Sequence, residues 1–132
     1  MKPLVMIVDD DRGMLNLLSI ILTDNGYDVL AASNGIAALN LLSCNLSPDI
    51  IITDYCMPRL KGSKLIEAIY ACDDLKYIPA VILSGSDLTS VNLPQTDNFR
   101  GVINKPFRVN TLLQTLNDLI KENGYGSSVH SA

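Results

Sequence analysis

The chain has 132 residues, the size of one domain, and nearly half of them are apolar, which excludes a wholly disordered chain. Its net charge of −4 argues against a nucleic-acid surface, because such a surface needs a basic stripe to neutralise phosphates. Its three cysteines, Cys44, Cys56 and Cys72, form no CxxC pair, and no apolar run is long enough to cross a bilayer. We therefore expect a reduced, cytoplasmic protein that binds neither nucleic acid nor membrane directly.

Short apolar runs alternate with segments of helical periodicity along the chain. We predict strands at residues 4–8, 27–32, 50–53, 78–83 and 101–104. The fifth of these is the shortest. Apolar residues recur at helical spacing after the first, second, third and fifth runs, and Asp11 is a good N-cap for the first helix. This alternation predicts an α/β domain built on a parallel sheet.

Two stretches depart from the alternation. Residues 86–98 should hold the fourth helix, yet they include Thr89, Val91 and Pro94 and few good helix formers. We predict that this helix is short or irregular. Residues 125–132 are small and polar, so we predict a flexible C-terminal tail after a domain of residues 1–124.

Reactive side chains stand where four of the predicted strands end. They are Asp9, Asp10 and Asp11 after the first strand, Asp54 after the third, Ser84 after the fourth and Lys105 after the fifth. Ligands of open parallel sheets lie beyond the carboxyl ends of the strands. We therefore expect these side chains to meet at one edge of the sheet.

Clustered carboxylates repel one another unless a cation neutralises them, and a small set of oxygen ligands suits Mg²⁺, for which Mn²⁺ can substitute. A metal held by Asp10 and Asp54 would stabilise the oxygens of an incoming phosphoryl group. Lys105 would balance the remaining charge, and the hydroxyl of Ser84 would hydrogen-bond another oxygen. Asp54 would be the nucleophile, because a carboxylate can form an acyl phosphate.

Each residue taken alone has an ordinary structural explanation. A run of aspartates after a strand is usually a solvated turn with a helix cap, the role expected of Asp11. Asp54 and Ser84 could be turn residues, and Lys105 a surface lysine. Only their combination at successive strand ends favours a phosphoacceptor site.

Four short motifs occur in a fixed order. They are Val8-Asp9-Asp10, Asp54 followed by Met57-Pro58 and Gly62, Ser84-Gly85, and Lys105-Pro106-Phe107. The intervals are 44 residues from Asp10 to Asp54, 30 on to Ser84 and 21 more to Lys105. In these motifs the chain closely resembles the receiver domain of bacterial two-component response regulators. The resemblance implies a flavodoxin-like (βα)5 fold with sheet order 2-1-3-4-5 and helices on both faces.

The resemblance also implies a phosphorelay function. Asp54 would accept a phosphoryl group from a sensor histidine kinase or a histidine phosphotransfer protein, assisted by Ser84 and Lys105. The metal ligands would be Asp9, Asp10, Asp54 and the backbone carbonyl of Cys56, and the Lys105–Pro106 bond would be cis. Such a domain assists its own phosphorylation and dephosphorylation and is not a turnover enzyme on a separate substrate. The sequence names no downstream effector, and a homodimer stays open because phosphorylation-driven dimerisation is common in the family.

Val102 stands where the family usually has an aromatic residue that reports phosphorylation. Together with the weak fourth helix, it leaves two functions open: a switch relayed by ordering of residues 86–98, or a docking module that retains the site. A phosphatase of the haloacid dehalogenase type is disfavoured, because Cys56 stands where that family places a second aspartate. A dinucleotide-binding enzyme is disfavoured because no G-x-G-x-x-G follows the first strand.

Overall fold

The computed structural model describes residues 2–44, 46–85, 88 and 92–122. The strands are β1 (Leu4–Val8), β2 (Asp28–Ala32), β3 (Ile50–Asp54), β4 (Ala80–Ser84) and β5 (Phe99–Asn104). The helices are α1 (Arg12–Asp24), α2 (Gly35–Ser43), α3 (Gly62–Tyr70) and α4 (Val109–Glu122). All strand pairs are parallel and the sheet order is β2-β1-β3-β4-β5, which confirms the predicted flavodoxin-like fold.

Helices cover both faces of the sheet, so its central strands are apolar on both sides. α1 and α4 pack on one face, and α2 and α3 pack on the other. In β3, Ile50 and Ile52 belong to the first apolar cluster and Ile51 to the second. This burial on both faces explains the unbroken apolar run that marked the strand in the sequence.

β5 is longer than the sequence indicated. It begins at Phe99 and has six residues against five in each other strand, so the prediction that it is the shortest was wrong. Gly101 has a φ of +139°, and the register between β4 and β5 shifts between Ala80 and Ile82. The sequence predicts that the strand starts at this glycine, whereas the glycine lies at an irregularity within the strand.

β2 and β4 begin later than predicted for one shared reason. The amide of Tyr27 donates to the carbonyl of Leu22 at 3.0 Å, and the amide of Ile78 donates to that of Leu75 at 3.1 Å. The amide of Tyr27 therefore bonds back to α1 and that of Ile78 to the turn after α3, so neither joins the sheet. The side chains of Tyr27 and Ile78 are buried nonetheless, which is why their apolar character resembled that of a strand.

The described part of the stretch between β4 and β5, residues 88 and 92–98, contains no helix. The remainder of the predicted fourth helix lies outside the described residues, as does the tail predicted at 125–132. The domain boundary at residue 124 stays a prediction. None of the helices described is both long and apolar enough to span a membrane.

Candidate functional site

Four charged side chains converge beyond the carboxyl ends of β1, β3 and β5. Carboxylate oxygens of Asp9, Asp10 and Asp54 all lie within 4.8 Å of one another. Lys105 Nζ lies 3.2 Å from Asp54 Oδ1 and 3.5 Å from Asp9 Oδ2. The structure thus brings together, from three separate parts of the chain, four residues that the sequence analysis assigned to one site.

The three consecutive aspartates have different surroundings. Asp9 is 2% exposed, and its Oδ1 accepts a hydrogen bond of 2.9 Å from the amide of Asp11. Asp10 is exposed. Asp11 Oδ1 accepts from the amides of Gly13 and Met14 at 2.9 and 3.3 Å, which confirms it as the N-cap of α1. The turn that caps the helix therefore also orients the buried carboxylate of Asp9.

Gly62 allows the loop after β3 to return against Asp54. Its amide donates to the carbonyl of Tyr55 at 2.9 Å. A Cβ at position 62 would lie 2.2 Å from the backbone oxygen of Asp54, a distance that no side chain tolerates. The same oxygen accepts a 3.0 Å hydrogen bond from Thr53 Oγ1. The sequence motif included Gly62, but this close approach to the acceptor strand is visible only in three dimensions.

Burial and nearby charges both shift the pKa values of Asp54 and Lys105. Burial raises the pKa of Asp54, and the neighbouring charge of Asp9 raises it further, against the lowering effect of Lys105. Burial lowers the pKa of Lys105, but the carboxylates of Asp54 and Asp9 outweigh it, so the net shift is upward. Lys105 therefore stays protonated. Its single positive charge does not neutralise the three carboxylates of Asp9, Asp10 and Asp54.

The donor set fits a hard divalent cation. The cluster of Asp9, Asp10 and Asp54 offers carboxylate oxygens, the ligands that Mg²⁺ prefers. Burial and then the charge of Asp9 raise the pKa of Asp54, and a cation there would oppose both effects by favouring the ionised carboxylate. The residues present are thus chemically suited to the metal that the sequence analysis expected.

Ser84 and Cys56 lie beside this cluster. Ser84 is 2% exposed at the end of β4, directly after Leu83, which pairs with Asp54 in the sheet. Its carbonyl accepts a 2.7 Å hydrogen bond from the amide of Lys105. Cys56 is in the loop after β3 with its thiol exposed, and a metal-binding role for its carbonyl stays a prediction. The Lys105–Pro106 bond is cis, as the resemblance implied.

Val102, at the position usually aromatic in receiver domains, is half-buried in β5. Like Leu88, Leu93 and Phe99, it packs against the apolar cluster on the sheet face covered by α2 and α3. The same cluster is thus contacted by β5 and by the described part of residues 86–98, the segment predicted to carry an alternative relay.

Comparisons with known proteins identify the family and the fold of this chain. Residues 5–117 match the family described as response regulator receiver domain. The signal receiver domain of a signal transduction histidine kinase from Syntrophus aciditrophicus is 27% identical, with a TM-score of 0.82 and 91% of each chain covered. The chemotaxis protein CheY4 of Vibrio cholerae is 28% identical, with a TM-score of 0.77, covering 90% of this chain and 99% of the other.

The response regulator MprA of Mycobacterium sp. (strain KMS) is 31% identical over 118 residues, which are 89% of this chain and 50% of that protein. The chain belongs to the response regulator receiver domain family, as its motifs predicted. Receiver domains are signalling domains, and this assignment is consistent with two-component signalling. The chain spans about half the length of the response regulator MprA that it matches.

Proposed function

We propose that Asp54 is the phosphoacceptor of a two-component phosphorelay, receiving its phosphoryl group from a sensor histidine kinase or a histidine phosphotransfer protein. The observation that carries this proposal is the convergence of Asp9, Asp10, Asp54 and Lys105 in a receiver-domain fold. The reaction is magnesium-dependent and takes place in the cytoplasm. The domain changes its affinity for a partner, or for a second copy of itself, when phosphorylated.

In the transfer, an Asp54 carboxylate oxygen forms a bond to phosphorus while the bond from phosphorus to the donor's imidazole nitrogen breaks. The electron pair of that bond stays on the imidazole. Lys105, already 3.2 Å from Asp54, is placed to bind an oxygen of the arriving group, and the Ser84 hydroxyl donates to another. Bound Mg²⁺, held by Asp9, Asp10, Asp54 and the Cys56 carbonyl, would supply positive charge to the phosphoryl oxygens.

Phosphorylation also redistributes the interactions of Lys105. Its ammonium now bridges Asp54 and Asp9, and a dianionic group on Asp54 competes for the same donor. The amide of Lys105 is bonded to the carbonyl of Ser84, so this rearrangement occurs where β4 leads into residues 86–98. Ordering of that segment is the relay that we propose in place of an aromatic side chain at position 102.

The chemical linkage tests this proposal. The protein is incubated with acetyl phosphate and Mg²⁺ and then treated with neutral hydroxylamine, which cleaves acyl phosphates to hydroxamates. We expect the peptide that contains Asp54 to carry the hydroxamate. A phosphoryl group that resists hydroxylamine, or one located on another residue, would overturn Asp54 as the acceptor.

A further inference from the structure

The loop between β3 and α3 has an unusual backbone conformation at Arg59. The φ of Arg59 is +72°, a region that few residues other than glycine, asparagine and aspartate enter. The amide of Leu60 donates to the carbonyl of Pro58 at 2.8 Å, which closes a three-residue turn around Arg59. A γ-turn with positive φ at its centre is rare and strained. Asparagine or glycine would therefore be more stable at position 59 than the arginine that stands there.

Lys61, two residues later, is also unfavourable for local structure. It is the N-cap of α3 and makes no side-chain capping hydrogen bond, whereas Asp11 and Asn34 cap α1 and α2. N-caps are normally short oxygen-bearing side chains, and a cation near the positive end of the helix dipole is disfavoured. Arg59 and Lys61 are thus both unfavourable for the local backbone, and each places a positive charge in this loop.

Both cations lie beside the phosphoacceptor. Lys61 Nζ is 5.4 Å from the ring centre of Tyr55, the residue directly after Asp54. The next residue, Gly62, packs against the Asp54 carbonyl. The side chains of Arg59 and Lys61 are exposed, and no acidic side chain in the described ranges forms an ion pair with either.

The site needs such charges on its approach side. Asp9, Asp10 and Asp54 are close together, with Lys105 as their one close ammonium partner among the described side chains. A phosphoryl donor carries a further dianion, and the Mg²⁺ that the site would hold at most offsets the carboxylate charge, so attraction at long range must come from cations outside the cluster. Exposed cations beside a charged site raise the encounter rate of an anion and lose this effect as salt increases.

We propose that Arg59 and Lys61 form a cation pair that attracts the dianionic phosphoryl group of the incoming donor and thereby speeds phosphorylation of Asp54. This inference rests on the proposed function and deepens it. It explains why two positions that favour asparagine on local grounds carry cations instead.

The double variant Arg59→Asn/Lys61→Asn tests the cation pair, because asparagine tolerates positive φ and is a good N-cap. The initial rate of phosphorylation by subsaturating acetyl phosphate with Mg²⁺ is followed by intact mass, at low ionic strength and at about 1 M salt. We expect the double variant to react roughly threefold or more slowly at low salt, with the difference disappearing at high salt. Its thermal midpoint should equal or exceed that of the wild type.

Lys64→Gln is the matched control, because Lys64 is a neighbouring lysine in the first turn of α3 and is already paired with Glu67 at 3.2 Å. We expect it to react like the wild type. Equal rates for the double variant and wild type at low salt would overturn the inference and leave Asp54 phosphorylation standing. A slower rate that is independent of salt would also overturn it, since the loop would then act through shape. If the wild type is never phosphorylated, the inference and the proposed function fall together.

Discussion

At the level of single residues, the ionised form of Asp54 is opposed by its surroundings. Its side chain is 12% exposed, and burial together with the charge of Asp9 raises its pKa despite the contact with Lys105. Ionised Asp54 is therefore less stable in the folded chain than in the unfolded chain. A bound cation would stabilise ionised Asp54, so the same surroundings favour cation binding at the site.

Asp54→Asn should consequently raise the free energy of unfolding at neutral pH in the absence of metal. Because the folded-state pKa of Asp54 lies above its unfolded value, the unfavourable contribution of Asp54 to wild-type stability should diminish as pH falls through that interval. The advantage of the variant should therefore be largest near neutral pH and vanish in acid. Urea unfolding in a chelator between pH 7 and pH 3 measures this, with exposed Asp28→Asn as the control. A variant less stable than the wild type at pH 7 contradicts the expectation.

Added Mg²⁺ should make the wild type more stable than Asp54→Asn, the reverse of the order expected without metal. A ligand at about ten times its dissociation constant stabilises the folded state by roughly 1.4 kcal/mol. We expect this gain in the wild type, with little gain in Asp54→Asn or Asp10→Asn, because each loses a carboxylate of the cluster. Thermal unfolding with Mg²⁺ and with chelator compares the three proteins. An equal gain in all of them would show that these carboxylates do not bind the metal.

Gly62→Ala should destabilise the domain, because its Cβ would lie 2.2 Å from the Asp54 carbonyl oxygen. Relief requires movement of either the strand end or the loop, at about 1–3 kcal/mol or more. Gly85→Ala is the matched control, since the nearest atom to its Cβ, in Lys105, is 3.9 Å away. Chemical denaturation of both variants distinguishes the sites. Equal stability of the two would mean that the approach of Gly62 to Asp54 is easily relaxed.

At the level of elements, the helix starts show which local signals can be read directly from sequence. Asp11 was predicted as a cap and confirmed, because short acceptor side chains before an apolar helix have a known role. The positive φ of Arg59 gave no such signal, since arginine does not mark a turn. Gly101 was misread as a strand start, because glycine marks both strand ends and irregularities inside strands.

The N-caps of α2 and α3 should respond to substitution in opposite directions. Asn34→Ala removes the acceptor for the amide of Ala37, now at 2.7 Å, and should cost about 1 kcal/mol. Lys61→Asn introduces an acceptor where none is used and should gain a comparable or smaller amount. Asn40→Ala, the same chemical change in the middle of α2, should be neutral or slightly stabilising. Unfolding free energies measure all three, and a stabilising Asn34→Ala would contradict this account of the caps.

At the level of the whole molecule, a parallel sheet brings together residues that are far apart in sequence. Asp9, Asp54 and Lys105 could be assigned to one edge from sequence because each follows an apolar run. The sharing of Lys105 between Asp54 and Asp9 could not, because it depends on side-chain packing across three strands. The approach of Gly62 to Asp54 depends in the same way on the course of a loop.

The connection between the phosphoacceptor site and residues 86–98 is also a property of the whole domain. Val102, like Leu88 and Leu93, packs against the apolar cluster beneath α2 and α3, so an aliphatic side chain stands at the position where an aromatic relay residue is usual. If residues 86–98 carry the signal, amide exchange there should slow when Asp54 is phosphorylated and stay unchanged in Asp54→Asn. Exchange in this segment that does not respond to phosphorylation would contradict the proposed relay.

Intact mass after incubation with acetyl phosphate tests the central claim most directly. Wild type and Asp54→Asn are treated in parallel, each with Mg²⁺ and with chelator. We predict the mass of one added phosphoryl group in the wild type with Mg²⁺, and no addition in the other three samples. An adduct that persists in Asp54→Asn, or none under any condition, would contradict the account, and the second result would favour a docking module that retains the acidic site without its chemistry.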